Sequence, residues 1–167
     1  MIKINFVQVT TTEQIDTLTQ LANTIWPEHY TPIIGQEQVD YMLETFHCAD
    51  SISSEIKNKG YEYFLIIKDT TPIGYIGVNI EDKTLFLSKF YILLPYRKKG
   101  FGRVSIDFLK HLARSFDLTK ITLTVNKKNE DTITAYQKMS FKITAELCAD
   151  IGNGFVMDDY KMELNLI

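Results

Sequence analysis

Three basic residues and two glycines give this sequence its plainest chemical use: Arg97-Lys98-Lys99-Gly100-Phe101-Gly102, with Arg103 just beyond. The run lies between a predicted strand and a predicted helix. The first turn of a helix carries unpaired N–H groups and the positive end of its dipole. Glycine lets an anion reach those groups with no Cβ in the way. Arg97, Lys98 and Lys99 add formal positive charge, so the chemistry suggested is phosphate binding. A Walker A loop would require Gly-Lys-Ser/Thr, which is absent. A dinucleotide fingerprint would need a third glycine where Ser105 stands, in a βαβ unit at the start of the chain. A solvated basic turn joining strand to helix is the alternative without function.

Together with the strand before it, the Pro95-Tyr96 step and the helix after it, this turn resembles the cofactor motif of the GNAT acetyltransferases. That pattern is Arg or Gln, two residues, Gly, one residue, then Gly or Ala, and Arg97, Gly100 and Gly102 match it. The resemblance implies that amides from Lys98 to Arg103 hold the pyrophosphate of acetyl-CoA. It also implies that the strand end Phe90-Tyr91-Ile92 pairs with the pantetheine arm where two parallel strands splay. Downstream, Asn126, Asn129, Ala135, Tyr136, Lys138 and Phe141 resemble the family's next block, which ends in a Gly-Phe pair. Here that pair reads Ser140-Phe141, so Ser140 must find another conformation than glycine's left-handed cap or be strained. The resemblance covers roughly Tyr61 to Leu166.

Asn129 and Tyr136 are seven residues apart, about two helical turns, and so face the same way. By the resemblance Asn129 contacts the CoA arm, Lys138 a CoA phosphate, and Tyr136 is the general acid. A phenol can hydrogen-bond or protonate the thiolate that leaves when an amine attacks a thioester. With pKa values of ~10 for phenol and ~8.5 for thiol, donation is uphill and hydrogen bonding is the larger part. Tyr136 and Ile133 sharing a buried face is the structural alternative.

The attacking amine must be neutral. For a lysine-like amine this costs roughly 4.6 kcal/mol at pH 7, so a base or a water relay helps. Some polyamine-type members place a Glu nine residues before the motif Arg; here Ser88 stands there, followed by Lys89. Glu28, His29 and Glu81 remain as candidates. His47 and His111 read as ordinary surface or half-buried histidines. Trp26, Tyr30, Tyr41, Glu37, Asp40 and Glu44 form an aromatic and acidic neighbourhood suited to a cationic amine. The segment Gly154-Phe155-Val156-Met157-Asp158-Asp159-Tyr160 is similar to bacterial small-amine members.

The elements that must position these residues follow from periodicity. Ile2, Ile4 and Phe6 alternate as in a first strand; Thr11 or Thr12 caps a helix carrying Ile15, Leu18, Leu21, Ala22 and Ile25. Trp26-Pro27 is expected to end that helix, because a residue before proline avoids the helical region. Short helices are predicted over 37–46 and 52–59, and strands over 63–67, 73–81 and 85–94, with Gly74 and Gly77 at a bend or close approach. A helix over 104–116 presents Ile106, Leu109, Leu112, Ala113 and Phe116. A strand over 120–125 then lies parallel to the one before that helix. A helix over 129–139 and strands over 141–147 and 160–166 complete the chain. The result is one α/β domain over residues 1–167. By the resemblance it is an α+β arrangement with a mixed, largely antiparallel sheet, a central parallel splay and helices on both faces.

Composition bounds the rest. The 167 residues carry a formal net charge of -3, which argues against a general nucleic-acid binder. There is no signal-peptide h-region and no run of the roughly 18 apolar residues that a membrane span needs, so a cytoplasmic protein is expected. Cys48 and Cys148 lie outside both motifs and suit neither a metal site nor a disulfide scaffold. That disfavours an acyl-enzyme and favours direct transfer from acetyl-CoA to a small-molecule or peptide amine in a ternary complex. The rival reading is a degenerate domain that senses CoA without turnover. The oligomeric state stays open, a homodimer included.

Overall fold

The computed structural model describes residues 3–167; Ile2, assigned above to the first strand, lies outside them. The chain divides into two compact units. The first runs to Asn79 and resumes over Lys89–Ser105; the second comprises Ile80–Ser88 and Ile106–Ile167.

In the first unit, β1 (Asn5–Gln8) pairs antiparallel with β2 (Glu62–Lys68), and β2 with β3 (Thr71–Glu81), which neighbours β4 (Thr84–Ile92). Three helices lie between β1 and β2: α1 (Thr12–Ile34), α2 (Gln36–Phe46) and α3 (Ala49–Asn58). Thr11 caps α1 in a capping box, its hydroxyl accepting from Gln14 N at 3.2 Å while Gln14 Oε1 accepts from Thr11 N at 3.0 Å.

The first helix does not stop at Trp26. It continues to Ile34 with Pro27 and Pro32 inside it, and each proline costs one i→i−4 bond. Packing overrides that cost: the Trp26 ring stacks on Tyr30 at 4.3 Å and meets His47 at 4.6 Å and Tyr91 at 5.5 Å. Those contacts require the helical continuation that local preference disfavours.

Both glycines of β3 answer close approaches. A Cβ on Gly77 would lie 2.6 Å from the Tyr63 ring, and one on Gly74 would collide with the Tyr91 carbonyl. Gly74 thereby lets β3 press against the end of β4, where Leu93 N donates to Ile73 O at 2.8 Å.

In the second unit, β4 pairs in parallel with β5 (Lys120–Asn126), from Thr84↔Lys120 to Leu87↔Leu123, as the crossover predicts. β7 (Phe155–Asn165) pairs antiparallel with β5, and β6 (Lys142–Gly152) with β7. The sheet is therefore mixed and largely antiparallel, with one parallel pair. The last hairpin is longer than the sequence implied and turns at Gly152-Asn153-Gly154, all three with positive φ. Between β4 and β5 runs α4 (Phe101–Ser115), whose Ile106, Leu109 and Ala113 are buried. Phe116 follows the helix and is 47% exposed, so it is not on the buried stripe as expected. α5 (Glu130–Lys138) follows β5. Among the described residues no helix is long and apolar enough to cross a membrane.

Candidate active site

The glycine turn is built at the end of β4. Leu94–Tyr96 forms one 3-10 turn, Lys98 and Gly100 take positive φ of 60° and 87°, and α4 starts at Phe101, three residues earlier than the apolar pattern indicated. A bond from Val104 N to Gly100 O, 3.2 Å, opens the helix. The amides of Phe101, Gly102 and Arg103 thus have no carbonyl partner within α4, the condition for an anion site. A Cβ on Gly102 would meet nothing within 4 Å, so the space beside these amides is open. Lys98, Lys99 and Arg103 are exposed, whereas Phe101 is buried and anchors the turn.

Arg97 is used differently from its neighbours. Its Nε donates to Ile92 O at 2.7 Å and its Nη1 to His29 Nδ1 at 3.1 Å, tying the turn to β4 and α1. A guanidinium only donates, so Nδ1 of His29 is the acceptor and that lone pair is committed. This weakens the case for His29 as a base. Glu28 lies within α1, exposed, and Glu81 ends β3, also exposed. Phe90, Tyr91 and Ile92 close β4, half-buried, beyond the rungs that pair with β5.

In the second unit, Asn129 precedes α5, and Asn129, Ile133 and Tyr136 are 4%, 8% and 8% exposed. They share one buried face, while Lys138 in the last turn is exposed. Ser140 solves the missing glycine by accepting strain: φ is 75°. Ser140 N donates to Gln137 O at 3.0 Å and Phe141 N to Tyr136 O at 3.1 Å, which together form a Schellman cap. Phe141 then packs on the Tyr136 ring, 5.3 Å between centroids, and fixes the phenol's position.

The family profile described as "Acetyltransferase (GNAT) family" matches residues 16–141. The chain belongs to the GNAT acetyltransferase family. It is an acetyl-CoA-dependent N-acetyltransferase. This acetyltransferase is 24% identical over 128 residues to the Bacillus subtilis (strain 168) protein named uncharacterized N-acetyltransferase YhdJ, covering 73% of this chain and 88% of that one. Its fold is similar to that of a PaiA N-acetyltransferase from Thermoplasma acidophilum solved in complex with coenzyme A. The TM-score is 0.80 at 19% identity, over 98% of this chain and 99% of that one. The spermidine/spermine N-acetyltransferase SpeG from Vibrio cholerae superposes with a TM-score of 0.69 at 17% identity, over 98% and 94% of the two chains.

Three groups of this acetyltransferase escaped the sequence reading. His47 is 3% exposed, not a surface histidine; its Nδ1 lies 3.1 Å from Tyr75 Oη. Burial first, then the Lys89 charge, hold its pKa well below the ordinary imidazole value, so the ring is neutral at pH 7. Lys89, next to Ser88 in the sequence, is 7% exposed and bonded to Tyr63 Oη at 2.7 Å and Glu55 Oε1 at 3.2 Å. This buried pair fastens α3 to β4, and removing one partner would cost about 3–5 kcal/mol. The third is Asp159 on β7, 5% exposed, whose Oδ1 has no hydrogen-bond partner among the described residues. In the sequence it stands out only as part of the segment Gly154 to Tyr160.

Proposed function

We propose that this enzyme transfers the acetyl group to a primary amine by direct attack within a ternary complex, Tyr136 assisting departure of the thiolate. The observation that carries the reading is the start of α4: three amides with no carbonyl partner within the helix, beside an open glycine and flanked by exposed Lys98, Lys99 and Arg103. Bound there, acetyl-CoA supplies an activated acyl group and a thiol leaving group.

The residues have separate tasks in this proposal. Amides from Lys98 to Arg103 take the diphosphate, and Lys98 and Lys99 add screened attraction from the rim. The backbone of Phe90, Tyr91 and Ile92 pairs with the pantetheine arm, which Asn129 also contacts. Lys138, exposed at the end of α5, takes a phosphate. The Tyr136 hydroxyl, held by the Schellman cap and Phe141, hydrogen-bonds the departing sulfur. Both cysteines lack a base partner in the hydrogen bonds of the described residues. Cys48 Sγ lies 3.3 Å from Ser51 Oγ and Cys148 is exposed, consistent with transfer that needs no acyl-enzyme.

The acceptor is a small-molecule or peptide amine. The likeness to PaiA and SpeG folds, together with the aromatic group of Trp26, Tyr30 and Tyr91, supports a cationic amine. Thiol release against a panel of amines, with Tyr136→Phe alongside, tests the reading. CoA binding without turnover on any amine would favour a sensor instead.

A further inference from the structure

We propose that His29 is a positioning residue for acetyl-CoA: by accepting from Arg97, its imidazole holds the glycine turn in the shape that receives the diphosphate. This rests on the proposed seat of the diphosphate at that turn. It gives His29 a task other than that of a base, and Arg97 a task other than contacting phosphate.

The turn carries backbone strain close to Arg97. Arg97 itself is extended, with φ -77° and ψ 158°, and Lys98 after it takes φ 60° without being a glycine. A side chain in the left-handed region persists only where its surroundings over-determine it. Lys98 is exposed, so the anchors lie on either side of it. Phe101 is buried and fixes the far end of the turn. Arg97 fixes the near end, through Nε to Ile92 O at 2.7 Å and Nη1 to His29 Nδ1 at 3.1 Å. Bonds from two nitrogens of one planar group set its orientation as well as its distance. Glu28, beside His29 on α1, attracts the same guanidinium.

His29 is in place because α1 runs on past Trp26. Local preference disfavours that stretch, where Pro27 and Pro32 each remove a backbone bond. Packing holds it: the His29 ring meets Tyr30 edge-on at 4.7 Å, and Tyr30 stacks on Trp26 at 4.3 Å. The disfavoured end of α1 therefore carries both the aromatic group and the acceptor for Arg97. Because a guanidinium only donates, the strut needs a neutral imidazole with its proton on Nε2.

The test is CoA calorimetry, with melts of the unliganded protein, on wild type, His29→Leu, His29→Asn, Arg97→Gln and the double variant His29→Leu/Arg97→Gln. Leucine keeps apolar bulk beside Tyr30 and cannot accept; asparagine offers an amide oxygen in place of Nδ1. Glutamine keeps a donor near the position of Nε and has none at Nη1. His29→Leu is expected to weaken CoA about 10-fold with an unchanged melting temperature, and His29→Asn to recover most of that loss. Arg97→Gln also weakens CoA about 10-fold, and His29→Leu added to it costs nothing further, since both remove one link. Wild-type affinity in His29→Leu, equal losses in the leucine and asparagine variants, or additive losses in the double variant overturn the proposal. A fall in melting temperature that accompanies the lost affinity overturns it too. Wild-type protein with no saturable CoA binding overturns the seat of the diphosphate and the proposal with it; failure of the proposal alone leaves wild-type binding intact.

Discussion

Substituting Gly102 separates the anion site from the fold more cleanly than any other change. At Gly100, φ of 87° would strain any side chain, so a lost ligand there would be confounded with a distorted backbone. Gly102 has ordinary helical backbone in the first turn of α4, and an added Cβ would meet no atom within 4 Å. Gly102→Val therefore leaves stability unchanged or raises it by a few tenths of a kcal/mol, since valine is the better helix former. The valine methyls would instead occupy the space beside the amides of Phe101, Gly102 and Arg103. A hydrogen bond to a charged group contributes about 1.5–3 kcal/mol, so displacing the diphosphate from one or two amides costs about 3 kcal/mol. That is roughly 100-fold in Kd. Gly102→Ala, which adds only the Cβ, should bind within a few-fold of wild type and melt slightly higher. Calorimetry with CoA, paired with unliganded melts, reads both quantities. Wild-type affinity in Gly102→Val would refute the placement of the diphosphate.

Other outcomes follow from the second unit. Tyr136→Phe keeps the ring against Phe141, so melting and CoA affinity should hold while kcat falls about 10- to 100-fold; full activity would remove the proton-donor role. Ser140→Gly relieves a non-glycine residue at φ 75° and should add about 1 kcal/mol, roughly 2–4 °C in Tm, by thermal melting. Asp159 should also appear in pH-dependent stability. Its folded pKa, about 6, lies above the unfolded 3.8, so its favourable contribution is full below pH 3.8 and lost as pH rises through 6. Two units correspond to about 3 kcal/mol, or ~1–2 after allowing for solvent screening. Denaturant titrations at pH 4 and pH 7.5 should show wild type losing that amount relative to Asp159→Asn, and parallel behaviour would contradict the buried, ionised group.

What was legible in the sequence is what local chemistry decides. The helix start at Thr11 or Thr12, the glycine turn at Gly100, the β4–α4–β5 crossover and the shared face of Asn129 and Tyr136 each depend on residues close in sequence. The end of α1 was misread because proline preference is local, whereas Trp26 is placed by Tyr91 and His47 from distant elements. Burial of charge was invisible for the same reason. Lys89 meets Glu55 across 34 positions and His47 meets Tyr75 across 28, so neither partner could be read from spacing. Ser140 was flagged correctly as the departure from glycine, and the structure shows which alternative holds: the left-handed cap is kept and the strain accepted.

The central claim, acetyl transfer from CoA to an amine, is tested most directly by following product mass and free thiol together for the wild-type enzyme over a panel of alkyl amines. Thiol release should depend on the amine, with one acetyl group gained per thiol and no acetylated enzyme accumulating. Saturable CoA binding with no acetylated product from any amine would contradict it.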